Sequence, residues 1–330
     1  MPLSSKNAVA VGVDIGGTNI KIALVTDGPE VLDRRLLPMG SKEDPGAVVA
    51  KLSDVVRELG NQACAAIPPV GIGCAGLIDA AQGTVKISPN LFMWRDVPLA
   101  NLLSQELHVK VTLDNDANVF SIAEGFYGAA KDATNAVFVT LGTGVGGGLK
   151  LRGEIYTGSC GFAGEIGHVT IDPDGPVCSC GNRGCLESFA GSGRIVRRAR
   201  TLIEEQGKQK EWLAKGLASL DDLTARDLGE AARDGNEIAE RAFAEAGEYI
   251  GIALAGVINL LNPEIVVIGG GVSNAGEPLF RAIRATVTRR AMALSTKCIE
   301  IVPAMFGDDA GVVGAAMLVL RNLELRNEEG

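Results

Sequence analysis

Aromatic side chains are scarce in this chain of 330 residues, because Phe, Trp and Tyr together make up only 4% of it. Exposed nucleic-acid bases would therefore find few rings on which to stack. Positive charge is also in short supply: 31 Lys and Arg face 40 Asp and Glu, and the formal net charge is −9. Such a surface repels phosphate backbones and anionic lipids, so we expect no nucleic-acid and no membrane partner.

Long apolar runs and an export signal are missing as well. No apolar stretch reaches the roughly 20 residues that a membrane span needs, and the best one is interrupted by Asn259, Asn262 and Pro263. The first residues, MPLSSKNAVAVGVDIGGT, carry one lysine and then a polar, Gly-rich turn, which is not the pattern of a signal peptide. The odd count of seven cysteines argues against a disulfide framework, so we expect a cytoplasmic protein.

Glycine and aliphatic residues are abundant, with 43 glycines and 46% hydrophobic residues, as in a compact α/β protein with tight turns. The length predicts two lobes. The segments NAVAVGVDIGGTNIKIALVT and AVFVTLGTGVGGGLKLRGEIY each predict two strands joined by a glycine turn, and their similar design indicates a duplicated core. Further patterns predict helices over 45–59, 237–261, 278–290 and 310–320, and a buried strand in EIVVIGGG.

Three glycine turns follow predicted strands. In DIGGTNIK, Asp14 precedes Gly16 and Gly17, while Thr18 and Lys21 follow them. Backbone N–H groups and a hydroxyl can hold phosphate oxygens in such a turn, and the carboxylate can orient hydrated magnesium. LGTGVGGG repeats this design with Thr143 and Gly144, and a bare Gly269–Gly271 would let a flat adenine lie against backbone. Any one turn alone is better explained as a hairpin, and none fits a Walker loop or a dinucleotide fingerprint.

The stretch LDNDANVF places Asp116 at the end of a predicted strand, with Asn115 and Asn118 beside it. Asp116 could serve as a base for a hydroxyl proton, or it could cap a helix that starts near Asn118; the spacing alone favours the cap. Asp114 is an alternative base, but it would point to the other face of an extended strand.

A cluster of cysteines follows in the segment GEIGHVTIDPDGPVCSCGNRGCLE. Cys178, Cys180 and Cys185, with His168 upstream, provide three thiolates and an imidazole, which suit a closed tetrahedral zinc site. A redox centre would need a Cys-x-x-Cys at a helix start, and a Cys178–Cys180 disulfide would close a strained ring. The other explanation of the cluster is that its cysteines are inert, unrelated thiols. The remaining cysteines have no partner pattern: Cys64, Cys74, Cys160 and Cys298.

From VGVDIGGTNIKIALV to GDDAGVVGAAML, the chain resembles the ROK family of sugar kinases, within the actin–hexokinase–Hsp70 ATPase superfamily. The resemblance implies an α/β, two-lobed actin-like ATPase (ribonuclease H-like) fold with an active-site cleft between the lobes and a zinc-bound loop. We accordingly expect a small lobe of residues 1–117 plus 311–330 and a large lobe of residues 118–310. A homodimer or a dimer of dimers is the expected assembly.

The same resemblance assigns roles to individual residues. The family motif NDAN matches 115–118 and makes Asp116 the catalytic base, while ExGH and CxCGxxGCxE match the segment that carries the cysteines. The implied zinc is structural, with ligands His168, Cys178, Cys180 and Cys185. Sugar-binding residues are expected at Gly76, Asn90, Asn115, Asp116, Glu165, His168 and Glu187. Residues that bind Mg-ATP are expected at Asp14, Gly16, Gly17, Thr18, Lys21, Thr143, Gly144, Gly269, Gly270 and Gly271.

The expected reaction is ATP-dependent phosphorylation of a hexose at its C6 hydroxyl, with glucose as the first choice. Glucokinases of this family often read SPNLPGW where this chain has SPNLFMW, so Phe92 and Met93 replace Pro and Gly. N-acetylglucosamine, N-acetylmannosamine, mannose and fructose remain open as substrates. A polyphosphate donor would need a basic track that an acidic chain does not indicate.

Two non-enzyme classes of protein are alternatives to the kinase. Sugar-responsive repressors of the family carry a helix-turn-helix segment ahead of the kinase-like body. The first predicted strand here begins close to Met1, so we expect no helix-turn-helix segment. A non-catalytic sugar-sensing protein would require neither Asp116 nor two phosphate turns.

Overall fold

The computed structural model describes residues 8–63, 66–88, 91–214 and 217–328. The chain divides into two compact units. Unit 1 comprises Met1–Asp132, Ile155–Ala163 and Met305–Gly330, and unit 2 comprises Ala133–Glu154 and Gly164–Ala304. This division differs from the expected one at 117/118 and 310/311, because it keeps residues 118–132, 155–163 and 305–310 in unit 1.

The strands are β1 (Val9–Ile15), β2 (Asn19–Thr26), β3 (Val31–Pro38), β4 (Val70–Cys74), β5 (Leu77–Asp79), β6 (Thr84–Ile87), β7 (Arg95–Val97), β8 (Val111–Asn115), β9 (Ala136–Leu141), β10 (Val145–Leu151), β11 (Glu154–Ile155), β12 (Ile265–Gly269) and β13 (Glu300–Pro303). The α-helices are α1 (Pro45–Ala63), α2 (Leu99–Leu107), α3 (Asp116–Phe126), α4 (Glu187–Ala190), α5 (Ser192–Glu205), α6 (Gln209–Leu213), α7 (Ala225–Arg233), α8 (Glu237–Leu261), α9 (Glu277–Arg290) and α10 (Ala310–Glu328).

Unit 1 is built on a mixed sheet with the strand order β3-β2-β1-β4-β8. β1, β2 and β3 form an antiparallel meander, as the alternation around the first glycine turn predicts, while β4 and β8 run parallel to β1. In register, Asp14 on β1, Gly73 on β4 and Asp114 on β8 form one row across the sheet. β5, β6 and β7 form a separate small antiparallel sheet.

The two faces of the unit 1 sheet bury different helices, and β1 shows why. Every second residue of β1, namely Val11, Val13 and Ile15, points to the face of the sheet that packs with α1 and α2. Ala10 and Gly12 point to the opposite face, which packs with α3 and α10. A Cβ on Gly12 would overlap the Val312 carbonyl, so the backbone of α10 lies directly on the strand. The same alternation places Asp14 on the α10 face.

Unit 2 repeats the sheet design of unit 1, with the strand order β11-β10-β9-β12-β13. β9 and β10 form an antiparallel hairpin around the second glycine turn, and β12 lies parallel between β9 and β13. In both units a hairpin therefore precedes a parallel crossover, which agrees with the duplicated core expected from the sequence.

The helix α8 organises the core of unit 2. It is long and apolar enough to cross a membrane by length and composition. In the structure, however, Phe243, Ile250 and Leu254 are fully buried, and the helix packs against α9, α5 and α7. Asn236 caps its first turn by accepting from the amides of Ile238 and Ala239. We conclude that α8 is a core helix, as its interruption by Asn262 and Pro263 indicates.

Candidate active site and metal centre

Asp14 lies at the end of β1, on the face that α10 covers. Gly311, at the start of α10, approaches so closely that a Cβ there would lie 2.6 Å from Asp14 Oδ2. Burial, and after it the negative charge of Asp116, raises the pKa of Asp14 from 3.8 to about 6, and the ammonium of Lys21 opposes this shift. The sequence identified Asp14, whereas the contact with Gly311 joins positions distant in the chain and had no local signal.

Asp116 is the first residue of α3, so the helix begins two residues before Asn118, near which its start was predicted. Asn115 is the N-cap, and its side-chain oxygen accepts from the Ala117 amide at 2.8 Å. Asp116 Oδ1 also accepts from the Ala117 amide, at 3.0 Å. Because the neighbouring asparagine caps the helix, the capping explanation for Asp116 loses its main support. Burial raises the pKa of the Asp116 carboxyl above its usual value, although hydrogen bonds to it act in the opposite direction.

Asp114 lies in the same row of the sheet as Asp14, with Gly73 between them, and it has a structural role. Its Oδ1 accepts from the Asn115 amide at 2.7 Å and from Asn118 Nδ2 at 2.8 Å. These two bonds fix the turn from β8 into α3 and thereby the position of Asp116.

The first glycine turn connects β1 and β2 as expected. The Gly16 amide donates to the Asn19 carbonyl at 3.0 Å, and Thr18 is exposed. Lys21 Nζ donates to the Asp308 carbonyl at 3.0 Å, so its ammonium lies beside the segment that leads into α10. Gly17 belongs to the same turn, between Gly16 and Thr18.

Gly76 and Asn115, two expected sugar-binding residues, lie next to each other. Asn115 Nδ2 donates to the Gly76 carbonyl at 2.9 Å. Gly76 has a φ of 124°, and a Cβ there would overlap the Ile87 carbonyl. Asn90 lies outside the described residues. Of its neighbours, Trp94 is buried and donates from Nε1 to the Glu43 carbonyl at 3.1 Å, whereas Phe92 is 72% exposed.

The second glycine turn, between β9 and β10, is tied to α4 by Glu187. Glu187 Oε2 accepts from the Val145 amide at 3.1 Å and fills the space that a Cβ on Gly144 would need. Its Oε1 accepts from the Ser179 hydroxyl at 3.0 Å. One carboxylate therefore links the turn to the cysteine-rich loop, while Thr143 stays exposed beside it. Neither Val145 nor Ser179 was identified from the sequence, since a backbone donor and a lone serine leave no pattern.

The third glycine turn follows β12. Gly270 has a φ of 84°, and a Cβ there would overlap the backbone of Leu141 on β9. Close packing on β9 therefore explains why this position is a glycine. A Cβ on Gly271 would meet nothing within 4 Å. Open space therefore begins at Gly271, while Gly269 is the last residue of the strand.

The expected zinc ligands come together in unit 2. His168, Cys178, Cys180 and Cys185 each offer one ligand atom, and all of these atoms lie within 4.8 Å of one another. His168 Nδ1 is 3.7 Å from the Cys178 sulfur, and the sulfurs of Cys180 and Cys185 are 3.8 Å apart. Zn–S bonds of about 2.3 Å at tetrahedral angles separate sulfurs by about 3.8 Å, so the four side chains fit a structural zinc.

The loop that carries these ligands is held by its own backbone. Thr170 pairs with Cys185 and Val177 with Arg183 in short antiparallel bridges. Burial opposes ionisation of Cys178, but hydrogen bonds from Cys180, His168 and Ser188 lower its pKa to about 7, which favours the thiolate that zinc binds. Among the other cysteines, Cys74 is buried and Cys160 and Cys298 are exposed, while Cys64 lies outside the described residues.

Glu165 precedes, and His168 ends, a single 3-10 turn, Ile166–His168. The His168 amide donates to the Glu165 carbonyl at 3.0 Å, and Glu165 is exposed. The two residues are thus close to each other and, through His168, to the zinc ligands. Unit 2 brings Glu165, His168 and Glu187 to one loop system, as the sequence predicts.

The two mixed sheets, with their shared strand order and glycine turns, define an α/β protein with the actin-like ATPase fold. A model of the ROK family matches residues 10–322, and the chain belongs to this family. A glucokinase from Thermotoga maritima is 39% identical over 313 residues, which cover 94% of this chain and 96% of the relative.

Two further comparisons bear on the site. The crystal structure of a ROK family glucokinase from Streptomyces griseus, in complex with glucose and AMPPNP, superposes with a TM-score of 0.85 at 32% identity and covers 94% of this chain and 99% of that one. A xylose repressor from Caldicellulosiruptor bescii is 30% identical over 316 residues, covering 95% of this chain and 78% of the repressor. Relatives of both kinds, enzyme and regulator, therefore share this fold.

Proposed function

We propose that this chain is a hexose kinase that transfers the γ-phosphoryl group of ATP to the C6 hydroxyl of glucose. The observation that carries the proposal is the Asp116 carboxylate, set at the first turn of α3 while Asn115 takes over the capping of the helix. Its raised pKa suits a general base that accepts a proton from an alcohol. The similarity to glucokinases supports glucose as the sugar.

In this reaction Asp116 accepts the C6 hydroxyl proton as the oxygen attacks the γ-phosphorus in line. Asn115 and the Gly76 carbonyl, already hydrogen-bonded to each other, hold the sugar beside it. Glu165 and His168 bind further hydroxyls. Glu187 retains acceptor capacity for one as well, because each carboxylate oxygen can accept more than the single short bond it makes here.

Phosphate oxygens of ATP are held by backbone amides of Gly17 and Thr18 in the first turn and of Thr143 and Gly144 in the second, and the nucleoside lies at the open face of Gly271. Asp14 would hold the hydrated Mg²⁺ that accompanies ATP, which when bound would supply charge neutralisation on the phosphates. His168, Cys178, Cys180 and Cys185 would hold a zinc ion that supplies structure alone, because four protein ligands would leave no open position for water.

A sugar-sensing regulator is the second candidate, because repressors about as similar as some of the glucokinases share the fold. The two functions are distinguished by a coupled ADP-release assay with Mg-ATP across glucose, mannose, fructose, N-acetylglucosamine and N-acetylmannosamine. We expect turnover with glucose that is lost in Asp116→Asn. No turnover on any sugar, with calorimetric binding of one of them, would establish the regulator instead.

Other expectations from the sequence stay predictions. These are the absence of nucleic-acid and membrane partners, a cytoplasmic location, and a homodimer or dimer of dimers. Light scattering coupled to gel filtration measures the assembly directly, and a monomer at all concentrations would contradict that part of the proposal.

A further inference from the structure

A groove of about 440 Å³ lies in unit 2, between α4, α5 and α8, and no step of the proposed reaction uses it. Its volume is within the range of small-molecule sites, which is roughly 300–1,000 Å³. The aromatic and charged side chains that line the groove are Phe189, Arg194, Arg197, Arg198, Glu245 and Tyr249.

Positive charge accumulates in this groove although the whole chain is acidic. Arg198 makes a two-pronged ion pair with Glu245, which also binds Arg241. Arg194 and Arg197 form no ion pair with any residue that the structure describes. These two arginines are three residues apart on α5, so they share a face of the helix, where two like charges destabilise each other.

An aromatic pair forms another part of the lining. The rings of Phe189 and Tyr249 are stacked, with centroids 4.4 Å apart and an angle of 29° between their planes. A groove with unpaired guanidinium groups and a stacked aromatic pair matches a ligand that has an anionic end and a flat or ring-shaped body. Guanidinium groups bind phosphate oxygens in a planar, two-pronged geometry that lysine lacks.

We propose that this groove binds a small phosphate monoester, with its phosphate on Arg194 and Arg197 and its organic part along Phe189 and Tyr249. Phe189 belongs to α4, the four-residue helix that begins at Glu187. An occupant would therefore restrain the helix whose first residue links the second glycine turn to the cysteine-rich loop. The groove is in this sense a regulatory site.

The test uses phenyl phosphate as the probe, because it has a ring and a phosphate but no sugar hydroxyls. Isothermal titration calorimetry on the full chain, saturated with a non-hydrolysable ATP analogue, should detect saturable binding. The double variant R194Q/R197Q should weaken it at least tenfold. The matched control R281Q/R290Q removes two exposed charges from α9 and should bind as the wild type does. Thermal unfolding verifies that both variants are folded.

Two additional measurements distinguish the source of the binding energy. Inorganic phosphate should bind at least tenfold more weakly than phenyl phosphate, and equal affinity would overturn the role of the aromatic pair. Hydrogen exchange of a peptide covering 186–191 should slow with phenyl phosphate in the wild type but not in R194Q/R197Q. The proposal is overturned by undiminished binding to R194Q/R197Q, or by no saturable binding to the wild type; neither result depends on kinase activity.

Discussion

Glu187 occupies, with its Oε2, the space that a Cβ on Gly144 would need. The same oxygen accepts the Val145 amide, and the other oxygen accepts the Ser179 hydroxyl. A residue at the start of α4 thereby fixes both the second glycine turn and the cysteine-rich loop. Gly144 is required in this place because of the carboxylate, independently of any phosphate.

Replacement of Gly144 by alanine should therefore displace Glu187 and break its bond to Val145. Loss of a hydrogen bond to a charged group costs about 1.5–3 kcal/mol, so we expect a lower melting temperature and at least a tenfold lower kcat/KM. Gly142→Ala is the control, since a Cβ there would meet nothing within 4 Å. Equal melting temperatures and rates for the two variants would show that Glu187 adapts at no cost.

Replacement of Asp116 by asparagine should abolish the proposed base while keeping the side-chain shape. General-base catalysis contributes about 10²–10⁴-fold, and we expect kcat to fall by that factor while calorimetric glucose affinity changes little. Asp114→Ala is the comparison, because it removes the Oδ1 that accepts both hydrogen bonds that fix the turn into α3. It should lower stability more than Asp116→Asn does. Near-normal turnover of Asp116→Asn would remove Asp116 from this role.

Asp14 should make stability depend on pH. Its pKa rises from 3.8 to about 6 in the folded chain, so the folded state binds this proton more tightly than the unfolded state. The resulting stabilisation is complete below the unfolded pKa and is lost as the pH rises through about 6. Two pKa units correspond to at most about 3 kcal/mol. We expect Asp14→Asn to be more stable than the wild type at pH 7.5.

Urea denaturation of both proteins at pH 5.0, 6.0 and 7.5, without magnesium, measures this effect. The difference in free energy of unfolding between the wild type and Asp14→Asn should become smaller as the pH falls. Parallel pH profiles would mean that Asp14 keeps an ordinary pKa. In the active enzyme, KM for Mg-ATP should rise as the pH falls below about 6, because the protonated carboxyl no longer orients the hydrated cation.

Metal analysis should give one zinc per chain, and Cys180→Ser should lose it. The cysteine is exposed, so this substitution removes a ligand with little change in packing. We expect a lower melting temperature for Cys180→Ser, and for the wild type after chelation. Cys298→Ser, at an exposed thiol elsewhere in unit 2, should keep its zinc. A fully active wild-type protein without zinc would contradict the structural role.

The sequence predicted the elements whose local pattern is strong. The hairpins around the first two glycine turns, the helix Glu237–Leu261 and the cysteine cluster were all identified correctly, because alternation, helical periodicity and ligand spacing are local properties. β3 was missed, since VLDRRLLP alternates half-buried and exposed residues but carries three charges that hide the pattern. The small sheet β5-β6-β7 was missed because its strands are only three or four residues long.

The sequence by itself singled out the side chains proposed to carry the chemistry, Asp14 and Asp116, and the four expected zinc ligands, although only the family resemblance assigned Asp116 its role as the base. The tertiary structure alone decided their surroundings. It placed Gly311 against Asp14, gave the capping of α3 to Asn115, and joined Glu187 to Val145 and Ser179. It also brought α5 and α8 together around unpaired arginines. Residue types and spacings are written along the chain, whereas desolvation and contacts between distant segments arise only when the chain packs.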